Sequence, residues 1–87
     1  MAEIQIKMIN AETFLVTVVA GSTTSHEVNV KAAYAQKLTA GKINTTELVK
    51  KSFEFLLQRE SNNSILRRFD LSVIGHYFPE YEREIMK

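Results

Sequence analysis

The chain has 87 residues, of which 45% are apolar and 24% charged, and its eleven Lys and Arg against ten Asp and Glu leave a formal net charge of +1. So short a chain forms one domain, residues 1–87, and buries only about 60–65% of its unfolded surface, so a partner subunit is the expected source of extra stability. The absence of cysteine excludes disulfides and thiolate metal sites, and the balanced charge argues against a surface devoted to nucleic acid.

The N-terminal residues, MAEIQIKMIN, lack the basic stretch and the apolar run of a signal peptide. The longest apolar run, FLVTVVA, is too short to span a membrane. We therefore expect a cytoplasmic protein that does not contact a membrane.

The first third of the chain has the alternation of apolar and polar residues that is typical of strands. The segments EIQIKMI, TFLVTVVA and SHEVNVK are separated by two short turn segments, NAE and GSTT. Because short turns join antiparallel neighbours, this part predicts a three-stranded antiparallel meander over residues 3–31.

The middle strand of this meander is apolar on both faces. Its second face carries Leu15, Thr17 and Val19. A strand of this kind is typically covered on both sides, whereas so short a chain has helices for one face only. We therefore expect either a homodimer whose contact includes these three residues, or a face that stays partly exposed.

From Lys31 onward the spacing of apolar residues becomes helical. AAYAQKLTAG predicts a short helix that Gly41 ends. NTTELVKKSFEFLLQRE predicts a longer helix over residues 45–59, with Asn44 as N-cap and Glu47 in a position close to that of a capping box.

The last third predicts shorter helical pieces. SNNS breaks the long helix, ILRRF is expected to form a helical turn or two, and Asp70 to cap LSVIGHYF. Pro79 ends or kinks that helix and opens a last turn, PEYEREI. Residues 32–86 thus predict three or four helices, and the whole chain an α+β fold.

The segment GHYFPEYE brings His76, Glu80 and two tyrosines together, which would suit an acid–base site. The alternative is a stripe of core residues at helical spacing, with His76 and Glu80 on the solvent side. No nucleophile with an orienting base accompanies them, and neither histidine has a zinc-binding spacing. We therefore expect no catalytic, cofactor or metal site and no enzyme. The predicted stripe is Ile74, Phe78, Tyr81 and Ile85.

A nucleic-acid interface is an alternative interpretation. HEVNVK followed by a short helix and a capped helix has the element order of ribbon-helix-helix repressors, which read the major groove with alternate strand side chains. Glu27, Asn29 and Lys31 would then face the bases, and four basic residues could contact phosphates. These four are Lys50, Lys51, Arg67 and Arg68. Acidic neighbours of three of them favour a solvated surface instead.

The stretch KSFEFLLQRESNNSILRRFDLSVIGHYFPEYE resembles a small family of uncharacterised prokaryotic proteins of about this length, and the resemblance covers roughly residues 48–85. It implies a compact bacterial or archaeal cytosolic protein and no particular activity. The three strands together with GKINTTELVKKSFEFLL are also similar to antitoxins of the HicB kind, which place a capped helix after a small meander. The PDLPG-like segment of those antitoxins is missing here.

The sequence therefore predicts a small non-enzymatic binding or regulatory module that self-associates, with any further protein partner unidentified. The alternative is a DNA-binding or antitoxin-like regulator, which would bind DNA with a steep dependence on salt.

Overall fold

A computed structural model of the protein describes residues 2–86 and contains one four-stranded sheet with the strand order β1-β2-β3-β4. The strands are β1 (Glu3–Asn10), β2 (Thr13–Val19), β3 (Thr23–Asn29) and β4 (Arg68–Asp70). The helices are α1 (Ala32–Thr39), α2 (Thr45–Leu57), α3 (Val73–Tyr77) and α4 (Tyr81–Ile85), with a 3₁₀ turn at Asn62–Ser64. The predicted α+β fold is confirmed.

The first three strands form the predicted antiparallel meander. β1 and β2 pair with Ile6 opposite Val16, and β2 pairs with β3 so that Val16 lies opposite His26. The side-chain oxygen of Asn10 accepts a hydrogen bond from the backbone N–H of Glu12 at 2.9 Å. This bond stabilises the tight turn, because an Asn side chain there takes the place of a backbone acceptor.

The fourth strand corrects the prediction for ILRRF, which does not form a helical turn. Residues Arg68–Asp70 pair in parallel with β3, with Phe69 opposite Val28. The connection from β3 runs through both α1 and α2, as a parallel pair requires a long crossover. A three-residue strand is too short to show an alternating pattern, so its partner strand decides its conformation.

The ends of the helices follow local signals. α1 ends where Ala40 and then Gly41 adopt positive φ angles of 51° and 76°. The side chain of Asn44 accepts a hydrogen bond from the Glu47 N–H at 2.8 Å, so the predicted N-cap of α2 is confirmed. α2 ends at Leu57, two residues before the predicted end.

The core lies between one face of the sheet and the helices. Phe14, Val16 and Val18 of β2 are fully buried against Leu48 and Phe53 of α2 and residues of the other helices. Ile4 and Ile6 of β1 are only half-buried at the border of this core. None of the helices within residues 2–86 has the length and apolar character that crossing a membrane would require.

Candidate functional site

The face of the sheet that points away from the helices is open. Leu15, Thr17 and Val19 of β2 lie on it and are half-exposed in the single chain. Their neighbours on this face are mainly polar, since Leu15 has Lys7 on one side and Glu27 on the other. The predicted dimer contact therefore forms a short apolar strip within a polar surface, and its occupation by a second copy stays a prediction.

The residues of the alternative nucleic-acid interpretation lie on two sides of the molecule. Glu27 and Arg68 are neighbours on the open face, where their side chains form an ion pair at 3.4 Å. Asn29 follows on the same face and accepts a hydrogen bond from Thr13. Lys50 and Lys51 are exposed on α2, on the helical side of the sheet. The remaining two, Lys31 and Arg67, are exposed next to β3 and β4.

His26, the first of the two histidines, is buried in the core and its ring nitrogens are both engaged. Nδ1 lies 2.8 Å from the carbonyl oxygen of Leu66, and Nε2 lies 2.8 Å from the hydroxyl of Thr24. A carbonyl can only accept, so Nδ1 carries a proton, and in the neutral ring Nε2 accepts from Thr24. Asn62 in turn donates to the Thr24 oxygen at 2.9 Å. This chain of bonds joins β3 to the segment before β4 and leaves no nitrogen free for catalysis.

The segment GHYFPEYE forms the end of α3, a turn at Pro79 and the start of α4, in agreement with the predicted break at Pro79. The predicted stripe faces the core, with Ile74, Tyr81 and Ile85 buried and Phe78 half-buried against them. His76 is exposed.

Glu80 and Glu82 of this segment are engaged in contacts between helices. Glu80 accepts a hydrogen bond from Arg59 at 3.2 Å. Glu82 accepts one from the Tyr34 hydroxyl at 2.8 Å and pairs with Lys37 at 3.3 Å. The Tyr34 hydrogen bond, and then Lys37, hold the pKa of Glu82 below its usual value. These polar groups therefore connect the C-terminal segment to α1 and to the end of α2.

One concave surface of the described chain is an apolar groove. It has a volume of about 340 Å³, within the range of small binding pockets. Phe69 of β4, Leu56 of α2 and Ile74 of α3 contribute to its lining. Leu66 and Tyr77, which also line it, are 48% and 67% exposed. Large apolar side chains exposed together in a concavity are typical of a binding surface.

The groove lies beside a free sheet edge. The Glu27 N–H donates to the carbonyl of Arg67, and the Leu71 N–H donates to that of Asn29. Because backbone groups of a parallel strand alternate in direction, those of Arg68 and Asp70 point away from β3. β4 is the last strand of the sheet within residues 2–86, so these groups have no strand to pair with. Phe69, whose side chain lines the groove, lies between them.

One acidic side chain lines this groove. Glu60 is half-exposed, and within residues 2–86 its carboxylate has no ion-pair or hydrogen-bond partner. The other polar side-chain groups in the lining are the hydroxyls of Ser64 and Tyr77. The groove therefore combines a mainly apolar surface with a single negative charge.

The sequence contained no specific signal for this groove. Leu66 and Tyr77 are apolar residues outside the predicted stripe, but so are Ile65 and Leu71, which are buried. The proximity of Leu66 and Tyr77 depends on β4 joining the sheet, which places the segment before β4 next to α3. The sequence pattern therefore indicated neither the exposure of these two residues nor the surface that they share.

The described residues contain no group of three or more His, Asp or Glu side chains that could hold a metal ion. No protein-family profile, curated protein or solved structure matches the chain. The resemblance of its C-terminal half to a prokaryotic family thus stays a prediction.

Proposed function

We propose that the protein is a non-enzymatic binding module that holds an extended apolar segment of another protein in the groove beside β4, and that it self-associates. The observation that carries this proposal is the combination of a free strand edge with an apolar groove on the side to which Phe69 points. Peptides that add a strand to a sheet edge use this combination: the backbone supplies hydrogen bonds, and alternate side chains enter pockets.

The chemistry of the groove defines the class of segment that it would hold. Every second side chain of an added strand points to the helical side of the sheet, where Leu66, Phe69 and Tyr77 present apolar surface. The unpaired carboxylate of Glu60 favours a positive charge near the same segment. We therefore expect apolar residues at alternate positions with a Lys or Arg close by.

The absence of an enzymatic role is supported by the positions of the titratable groups. His26 is buried with both nitrogens engaged, and His76 is exposed and lies outside the lining of the groove. Ser52 is buried, donates to the Leu48 carbonyl and contacts the Tyr81 hydroxyl at 2.6 Å. None of these groups forms a nucleophile–base pair within the groove.

Selection from a library of random peptides displayed on phage tests the proposal. We expect enriched sequences with alternating apolar residues and a basic residue. Peptides synthesised from them should bind at least about tenfold more weakly to Leu66→Ser and Tyr77→Ser, because these variants remove the exposed apolar surface of the groove. Titration followed by backbone NMR should shift the amide signals of Arg68 and Asp70.

Met86→Ser provides the matched control, since Met86 is 56% exposed and lies outside the groove. This variant should bind the selected peptides as the unmodified protein does. A selection that yields no shared pattern would contradict the proposal. Peptides that bind equally well to the groove variants would also contradict it.

A further inference from the structure

The opposite edge of the sheet is formed by β1, which is long and largely unprotected. β1 spans eight residues and pairs only with β2 within the described part of the chain. Natural edge strands are usually kept from pairing by several charges, a proline or a short length. On β1, Glu3 and Lys7 are the two charged residues, proline is absent, and the only irregularity in the pairing lies between Met8 and Asn10.

The hydrogen bonds of the meander show which backbone groups of β1 face outward. The N–H of Ala20 donates to the carbonyl of Ser22, and the N–H of Val30 donates to the carbonyl of Glu12. The even-numbered positions of β2 therefore exchange backbone hydrogen bonds with β3. The odd-numbered positions of β2 therefore face β1, where they lie opposite odd-numbered residues. The N–H and C=O groups of the even-numbered residues of β1 that precede the register shift at Asn10 consequently point to solvent. These are Ile4, Ile6 and Met8.

The side chains of the same three residues lie along the helical face of the sheet. Ile4 and Ile6 are half-buried, and Met8 is 56% exposed. A strand added to β1 would cover them while pairing their backbone groups. The edge thus offers hydrogen-bonding groups and apolar surface in the same place.

We infer that β1 pairs with β1 of a second copy in an antiparallel, two-fold symmetric arrangement in which Gln5 lies opposite its own counterpart. This arrangement places Glu3 of each copy opposite Lys7 of the other, so two pairs of opposite charge form on the open face. It also places Ile4 opposite Ile6 of the other copy on the helical face. On each face of β1 the side chains therefore match those of the same strand in the second copy, and the two-fold symmetric pairing closes as a dimer.

A second copy fits this edge better than β4 of another molecule. β4 has only three residues to pair with the eight of β1. Pairing of β1 with β4 of another copy would also leave one unpaired edge on each copy, so that further copies could add and the assembly would not close as a dimer. The inference rests on the proposed self-association and names its surface. It differs from the contact predicted from the sequence, in which the open faces would meet at Leu15, Thr17 and Val19.

Single cysteines test the pairing, because the natural chain has none. Directly opposed residues that do not exchange hydrogen bonds have Cα atoms about 4.5 Å apart, which a disulfide can bridge. Gln5→Cys should therefore form a disulfide-linked dimer with oxidised glutathione as the oxidant. Thr17→Cys, on the neighbouring strand of the same face, should stay unlinked.

Charge exchange tests the register of the two strands without a covalent link. Glu3→Lys and Lys7→Glu should each weaken the dimer about tenfold or more in sedimentation equilibrium, because like charges then lie opposite one another. The double variant should restore the affinity of the unmodified protein. Glu12→Lys, which makes the same charge change in the turn outside β1, should leave the dimer intact.

The results separate this inference from the broader proposal. A monomer at all concentrations would overturn both the pairing and self-association. A dimer that is linked through Thr17→Cys and not through Gln5→Cys would overturn the pairing of β1 and leave self-association standing. A dimer whose affinity the double charge variant fails to restore would overturn the register. Peptide binding in the groove is measured separately and does not depend on any of these outcomes.

Discussion

At the level of single residues, the buried polar groups are matched with partners. Ser52, His26 and Asn62 are the buried polar residues of the described chain, and no buried side-chain nitrogen or oxygen within it lacks a hydrogen bond. Ser52 donates to the Leu48 carbonyl, so the contact with Tyr81 must be donated by the tyrosine hydroxyl. Burial also raises the pKa of Tyr81, which keeps this hydroxyl protonated.

Removing the Tyr81 hydroxyl should destabilise the protein without changing its core packing. Tyr81→Phe keeps the ring that packs against Phe55 and removes the hydrogen bond to Ser52. We expect the free energy of unfolding to fall by about 1–2 kcal/mol, as is usual for a buried hydrogen bond. Urea unfolding of the variant measures this change.

Tyr77→Phe is the matched control, because Tyr77 is 67% exposed and lies on the rim of the groove. Its stability should stay within about 0.5 kcal/mol of the unmodified protein. Equal stability of Tyr81→Phe and the unmodified protein would show that the buried hydrogen bond makes no net contribution.

At the level of elements, the end of α1 uses two consecutive residues in left-handed conformation. Ala40 has φ 51° and ψ 28°, a conformation that costs a residue with a Cβ about 1–2 kcal/mol. Gly41, at φ 76°, has no such cost, and a Cβ there would meet only the Gln36 side chain at 3.7 Å. The two positions share a left-handed conformation and differ in that only Ala40 carries a Cβ, so at Gly41 the backbone conformation, and not a lack of space, favours glycine.

Two substitutions at this helix end should change stability in opposite directions. We expect Ala40→Gly to raise the free energy of unfolding by about 0.5–1 kcal/mol, because glycine is the preferred residue at a left-handed helix end. Gly41→Ala should lower it by about 1–2 kcal/mol. Chemical unfolding of both variants provides the measurement. A loss of about 1 kcal/mol in Ala40→Gly, as for glycine inside a helix, would show that α1 continues through this position.

Some helices and strands were predicted correctly from the sequence, and others were not. The first three strands and α2 were predicted within a few residues, because alternation, tight turns and the Asn44 cap are local signals. β4 was missed because its conformation depends on β3, about 40 residues earlier in the chain. The segment after Asp70 was predicted as a helix that ends or kinks at Pro79 and is followed by a last helical turn, and α3 and α4 lie on the two sides of Pro79 as predicted.

The candidate surfaces were predicted less well than the fold. The apolar second face of β2 was visible in the sequence, and the structure leaves it half-exposed. The groove was not predicted, because Leu66, Phe69 and Tyr77 become neighbours only when β4 joins the sheet. The free edge of β1 was not predicted either, since strand order is a property of the whole sheet.

At the level of the whole molecule, two carboxylates connect helices that are distant in sequence. Tyr34 and Lys37 hold the pKa of Glu82 below its ordinary value of 4.5, and the backbone N–H of Glu80 and the Arg59 side chain do the same for Glu80. The folded protein therefore keeps both groups ionised at a pH where the unfolded chain binds protons. Their contribution to stability is present above about pH 4.5 and is lost as the pH falls below it.

The free energy of unfolding should consequently decline between about pH 5 and pH 3. In Glu82→Gln it should decline less steeply than in the unmodified protein. Because Glu82 is partly exposed and screened by solvent, we expect the difference to stay below about 1 kcal/mol. Thermal unfolding over this pH range provides the measurement. Glu12→Gln, an exposed residue of the first turn, should follow the unmodified protein. Parallel pH curves for all three proteins would show that Glu82 contributes nothing to acid stability.

The strand order determines how many β4 grooves a dimer would present and where they would lie. β1 and β4 lie at opposite edges of the sheet, so a dimer joined through β1 would form a sheet of eight strands with one β4 groove at each end. With strands about 4.8 Å apart, the two outer strands would lie about 34 Å from each other. A ligand with two copies of the recognised segment, joined by a linker that spans this distance, would engage both grooves. Its avidity would exceed the affinity of one segment by about 10²–10⁴-fold without any new contact.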